Sequence, residues 1–253
     1  MLGFGVTDVG KRREVNQDSF IIDQLSPDVL LAVVCDGMGG AAGGLEASSI
    51  ACSVFADSVE HELDRHDKLG ISLSARRVEH ILCRGVDLAN KAVLDRAASD
   101  PLLEGMGTTL VAVLVLADRV YAVNVGDSRL YLVSEERAEQ ITHDHSYVQY
   151  LVDIGRLSPE EALYNENKNI ITRAVGTSRD TEADFYTVGC PAGSRLLLCS
   201  DGLTNMLSPE EIAKRFAADT PDEDSLAAVC RDLVDGANEN GGHDNITAVI
   251  VSL

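Results

Sequence analysis

Four aspartates stand where apolar runs meet small or polar residues: Asp36 in "VVCDGMGG", Asp127 in "VNVGDSR", Asp201 in "LLLCSDGL" and Asp244 in "GGHDNITAVIV". One Asp beside a Gly is an ordinary turn residue that bonds its own backbone. Four in one chain, each flanking an apolar strand pattern, ask for more. A carboxylate at the end of a buried strand is costly unless it is paired, and the chain has few basic residues nearby to pair them all. Hard divalent cations remove the difficulty, because magnesium, manganese and calcium take carboxylate, carbonyl and water oxygens. No His/Cys set has the spacing of a zinc site. Two such ions side by side lower the pKa of a shared water and clamp an in-line displacement at phosphorus.

The residues around these acids fit that chemistry. Gly37, Gly39 and Gly40 let a backbone approach an ion closely and offer a carbonyl. The stretch "DGMGGAAGG" lacks the lysine of a nucleotide-cradling P-loop. A phosphate dianion also needs a cationic holder. Arg13 in "KRREVNQD" is the candidate, since a guanidinium grips two phosphate oxygens at once. Asp18, with Asn16 and Gln17 beside it, is a candidate to orient metal-bound water. "GMGTTL" reads as the lead-in to a buried strand, with Thr108 and Thr109 hydrogen-bonding locally. His143 and His145 in "ITHDHS" invite an acid/base reading, but a structural loop start is favoured over it.

Strand patterns fall at about 3–8, 19–23, 29–35, 108–117, 119–125, 129–133, 184–188, 195–200 and 245–252. Helical patterns span about 44–64 and 73–99. "SPEE" at 158–161 and 208–211, and "TPDE" at 220–223, each combine a hydroxyl N-cap, a proline and a Glu three residues on, which announces a helix start. Hairpins grouped with helix pairs argue for an α+β fold of two packed sheets with helices outside.

Composition narrows the partners. Twenty-one Lys and Arg stand against 41 Asp and Glu in 253 residues, a net charge of −20. Such a field repels nucleic acid and anionic membranes away from local basic patches, and the dense basic cluster read in the sequence is "GKRRE" at 10–14. Six cysteines without a C-x-x-C pair read as small buried hydrophobes in a reducing compartment. No signal-peptide pattern and no run near about 18 apolar residues is visible, so the expectation is a soluble cytoplasmic protein.

The ordered motifs "TDVGKRREVNQDSF", "VVCDGMGGAAGG", "GMGTTL", "VNVGDSRLYLV", "THDHS", "NIITRAVGT", "LLLCSDGLTNML" and "GGHDNITAVIV" cover nearly the whole chain. Together they resemble the metal-dependent type 2C (PPM) serine/threonine protein phosphatases, in particular their bacterial single-domain branch. The resemblance implies a four-layer α-β-β-α sandwich: two central antiparallel sheets, flanking helix pairs, one domain over 1–253 and a small flap at about 145–173. By motif it implies that Asp36 bridges two Mn2+ or Mg2+ ions and the Gly37 carbonyl binds the first. Asp201 and Asp244 complete the second site, and Asp127 joins Asp201 at a third, weaker one. Arg13 matches the phosphate-binding arginine, Asp18 the acid that holds metal-bound water, and Asn245 a residue supporting the ligands.

The implied reaction is hydrolysis of phosphoserine and phosphothreonine in proteins by a monomer that opposes a cognate bacterial Ser/Thr kinase. No nucleic acid or membrane insertion is expected. The chain departs from the family at Met38, where many animal relatives carry a His that acts as general acid. It departs again at Ala41, commonly His in bacterial members, at Leu45, commonly Glu, and in the flap stretch "LYNENKN". Two other readings compete with this one: a phosphoprotein-binding module without turnover, which predicts a lost metal acid, and a structural calcium domain, for which EF-hand spacing is absent.

Overall fold

Strand alternation decides which layer each core side chain enters. The computed structural model describes residues 1–134, 137–191, 193–216 and 222–253, with only the backbone of Ala41. In β3 (Val29–Met38), Leu31, Val33 and Cys35 face one way and Leu30, Ala32 and Val34 the other. The first set packs on α1 (Gly40–Lys68) and α2 (Ala75–Ser99) through Phe55, Val59, Val86 and Val93. The second set meets Leu196 and Leu198 of β10 (Arg195–Cys199), and Val249 and Val251 of β11 (Ile246–Ser252). Leu197, Ala248 and Ile250 then point outward to Leu226, Cys230 and Leu233 of α7 (Glu223–Glu239). Strands buried on both faces read as continuous apolar runs, as these do. The result is the expected four-layer α-β-β-α sandwich.

Both sheets are antiparallel. One runs β1 (Leu2–Asp8), β11, β10, β7 (Arg129–Val133), β8 (Ala138–Gln140). The other runs β2 (Asp18–Ser26), β3, β5 (Leu110–Leu116), β6 (Arg119–Val125), β9 (Asp184–Val188), with β4 (Gly107–Thr108) paired to the end of β3. Among the described residues no helix is long and apolar enough to cross a membrane, and the six cysteines are free.

The structure revises several boundaries. The helix expected from about 44 begins at Gly40, so "GAAGG" is its first turn rather than loop. That start needs a bare backbone: a Cβ on Gly37 would lie 2.0 Å from the Gly44 carbonyl oxygen. The run expected over 108–117 breaks at Thr109 between β4 and β5. β8, α3 (Tyr147–Asp153) and α5 (Asp201–Thr204) are too short to show a period, and the sequence reading does not include them. "SPEE" does begin α4 (Pro159–Leu163) and α6 (Pro209–Arg215), each with a full capping box. Thr220 and Pro221 lie outside the described residues; α7 is instead capped by Asp222, whose box partner is Ser225.

Candidate active site

The sheet register sets two carboxylates face to face, with Asp18 of β2 directly opposite Asp36 of β3. Like charges in that relation destabilise a sheet, so the pair serves something other than stability. Asp18 is buried. Its Oδ2 accepts from Ser200 Oγ at 2.7 Å and Thr247 Oγ1 at 2.6 Å, while its buried Oδ1 has no hydrogen-bond partner. Burial pushes the carboxyl up to about 6 against the pull of the two hydroxyls, and the charges of Asp201 and Asp244 add to the rise.

Three more acids share this end of the sandwich. Asp36 titrates well above the carboxylate range, through burial first and then the fields of Asp18, Asp201, Asp127 and Asp244. Asp201, first residue of α5, is raised by burial and by Asp244, and accepts from Asn205 Nδ2 at 3.0 Å. Asp127, on the turn after β6, is raised well above its ordinary value by burial, then by Asp201 and Asp144. The structure thus gathers Asp18, Asp36, Asp127, Asp201 and Asp244 from widely spaced parts of the chain.

Asp36 is held by its main chain. Thr109 Oγ1 accepts from its N–H at 2.9 Å, and its carbonyl accepts from Thr109 N–H and Thr108 Oγ1, each at 2.9 Å. The expected local bonding is present, since Thr108 Oγ1 also donates to the Thr109 carbonyl at 2.9 Å; the bonds to Asp36 come in addition, because β4 lies beside the end of β3. Thr109 Oγ1 also meets Ser128 Oγ at 2.7 Å, which ties the Asp36 backbone to the residue after Asp127. Gly37 N–H donates to the Gln17 carbonyl at 3.1 Å, and Gln17 Nε2 donates to the Gly40 carbonyl at 2.6 Å.

Arg13 reaches the cluster from the loop after β1. Its Nη2 donates to Asp244 Oδ2 at 2.8 Å, and its side chain is half exposed. The bond to Asp244 and the fields of Asp36 and Asp201 raise its pKa further. It lines a cleft with Gln17, Met38, Gly39 and Gly40. Asn245 anchors this loop: its Oδ1 accepts from Gln17 N–H at 2.9 Å, and its Nδ2 donates to the carbonyls of Val9 and Val15, each at 3.0 Å. Asn245→Ala leaves three backbone groups unpaired and frees the Arg13 loop. The expected result is a KM raised about tenfold, with about 1–3 kcal/mol of stability lost; steady-state kinetics and denaturant unfolding read the two.

This donor set fits hard divalent ions. It is all oxygen, its carboxylates repel one another, and Asp18 Oδ1 is a buried acceptor without a donor. Among the described residues no three His, Cys, Asp or Glu side chains close on one point as a complete ligand set. Magnesium-like ions keep several waters and take one or two carboxylates each, so they do not require such a set.

A family model described as Protein phosphatase 2C matches residues 9–235. The chain belongs to the protein phosphatase 2C family. It is 35% identical over 245 residues to the serine/threonine phosphatase stp of Listeria welshimeri, covering 97% of this chain and 93% of that protein. Protein phosphatase PhpP of Streptococcus pneumoniae is 35% identical over 251 residues, 98% of this chain and 96% of that one. The solved catalytic domain of the serine/threonine protein phosphatase PstP, in complex with two manganese ions, superposes with a TM-score of 0.82 at 32% identity, covering 98% of this chain and 96% of that one.

In this 2C phosphatase His143 and His145 are not an acid/base pair. His143 Nε2 bonds exposed Asp153 at 2.9 Å. His145 is buried; its Nδ1 accepts from Gly126 N–H at 3.1 Å, and Nε2 lies 3.2 Å from Asp184 Oδ2. It acts as a strut between the Asp127 turn and β9, and burial lowers its pKa. Arg173 Nη1 donates to the same Asp184 at 2.9 Å, so both ends of the 145–173 segment meet on β9. Sequence reasoning missed Ser200, Thr247 and Ser128. A hydroxyl beside each of "SDG", "NIT" and "GDS", where an apolar strand begins or ends, is the signal that was available.

Proposed function

We propose that this phosphatase hydrolyses phosphoserine and phosphothreonine in proteins at a centre of two Mn2+ or Mg2+ ions held by Asp36, the Gly37 carbonyl, Asp201 and Asp244. Asp127 and Asp201 would hold a third. Support comes chiefly from one observation: buried, mutually repelling carboxylates meet at one end of the sandwich, with an unpartnered Asp18 Oδ1 among them. The ions, when bound, acidify water and neutralise phosphoryl charge.

The remaining roles belong to the chain itself. Arg13 binds two phosphoryl oxygens with its fork. Asp18, held through Oδ2 by Ser200 and Thr247, offers Oδ1 to orient the attacking water. Asn245 fixes the loop that carries Arg13. Met38, on the cleft wall, has no proton for the leaving alkoxide, which draws its proton from water. Residues 1–253 act as one unit, the 145–173 segment is the flap beside the site, and a cognate Ser/Thr kinase writes the marks this monomer removes in the cytoplasm.

The manganese-loaded protein should release phosphate from a phosphothreonine peptide. Chelation should abolish turnover and added manganese should restore it, with magnesium compared in parallel. A loaded, folded protein that leaves such a peptide intact would overturn the reading.

A further inference from the structure

The far end of the helical layer carries a second concentration of charge, of opposite sign. A cavity of about 460 Å3 opens between the last turns of α1, the 69–74 loop and the start of α2. Arg65, Arg76, Arg77, Arg84, His66 and His80 line it, and Glu62 is the sole acid on its wall. Arg65 and Glu62 pair at 3.3 Å. Arg76, Arg77 and Arg84 make no ion pair and no side-chain hydrogen bond among the described residues. Arg76, Arg77 and Arg84 are exposed, and in a chain of net charge −20 they bring three cations to the rim of one cavity.

Helix electrostatics accounts for the cations on α1 but not for those on α2. Arg65, His66 and Lys68 sit in the last turn of α1, where the macrodipole favours positive charge. Arg76 and Arg77 sit in the first turn of α2, where it disfavours it, and that turn holds no acid. The first turns of α4, α6 and α7 each hold two acids. Arg76, His80 and Arg84, spaced four residues apart, fall in line on one face, so side chains that repel one another are stacked toward the same space. An anion in that space relieves both costs.

We propose that this cavity is a non-catalytic site for a small soluble molecule bearing two or more phosphoryl groups. Guanidiniums bind phosphoryl oxygens in bidentate fashion, and three free ones match more than one such group. The volume lies in the range of small-ligand pockets, and Leu69, Ile71 and Ile81 supply apolar wall. Twenty-five residues of α1 separate Gly40, beside the carboxylate cluster, from Arg65, roughly 38 Å at the helical rise. A phosphoryl group seated here is therefore far from the carboxylate cluster and is not itself placed for hydrolysis. The acidic surface as a whole repels an anionic bilayer, whereas a compact ligand needs only the local field.

Titration calorimetry of tripolyphosphate, pyrophosphate and orthophosphate into metal-free protein tests this, comparing wild type, Arg77→Gln/Arg84→Gln and Arg13→Ala. Gln keeps helix propensity on an exposed face, and thermal melts confirm folding; Arg76→Gln alone is the milder second variant. The proposal expects the double variant to weaken tripolyphosphate binding at least about tenfold, near 1.4 kcal/mol, the Arg76 variant to weaken it less, and Arg13→Ala to leave it within about twofold. Binding unchanged in the double variant, or lost in Arg13→Ala, overturns the proposal. So does weak binding shared equally with orthophosphate, which marks non-specific screening. Phosphatidylserine vesicles and a doubly phosphorylated peptide form separate arms; arginine-dependent binding of either one without tripolyphosphate binding also overturns it.

Discussion

Asp36→Asn is expected to remove phosphatase turnover, by about 10^3-fold or more, the scale on which a principal electrostatic group at a reacting centre acts. The same substitution is expected to raise the Tm of the metal-free protein. Burial first, and then the fields of Asp18, Asp201, Asp127 and Asp244, disfavour the charged form of Asp36. Asparagine has the same shape and no charge, and the bonds that fix Asp36 run through its backbone, which the change leaves intact. A relief of about 2 kcal/mol would lift the melting temperature by about 4–8 °C for a chain of this size. Thermal melts in chelator, beside phosphate release with manganese, give the two readouts. A variant that melts lower than wild type in chelator, or that keeps substantial turnover, contradicts this account of the cluster.

The second large effect is a pH dependence whose sign depends on the metal. The folded-state pKa of Asp18 is pushed up to about 6 from an ordinary 3.8, and Asp36, Asp127 and Asp201 shift in the same direction. A raised folded-state pKa means that the native state holds protons the unfolded chain has already released. The associated stability is complete below about pH 4 and is lost as pH rises through about 6, with the other acids extending the loss upward. For Asp18 alone the difference amounts to about 3 kcal/mol at most. Metal-free protein should therefore melt several degrees lower at pH 7.5 than at pH 5. Saturating manganese, which binds the deprotonated acids, should flatten or reverse that slope. A chelated protein whose Tm is level across this interval would show that the acids do not repel one another as their positions imply.

Much of this was legible in the chain itself. Alternating and continuous apolar runs placed the long strands to within a few residues, because each strand buries one or both faces and its composition must follow. The acids of the cluster were visible as carboxylates at the ends of such runs, where no packing argument explains them. Boundaries failed where a non-local contact set them. The early start of α1 depends on Gly37 and Gly44 lying back to back, and the break at Thr109 on the grip of β4 over Asp36.

The sequence by itself determined the two packed sheets with helices outside and singled out the acids that the fold brings together, because these follow from residue type and local period. Only the tertiary structure decided which groups restrain those acids. Ser200 and Thr247 reach Asp18 across 182 and 229 residues of chain, and Asn245 grips a loop more than 220 residues away. Polar contacts at such separations leave no periodic trace. The same holds for the distribution of positive charge. Read along the chain, the dense basic cluster was at 10–14; folded, Arg65, Arg76, Arg77 and Arg84 meet round one cavity. A helix hairpin joins two helix ends that carry those arginines, and charge that looked dispersed in one dimension became a site in three.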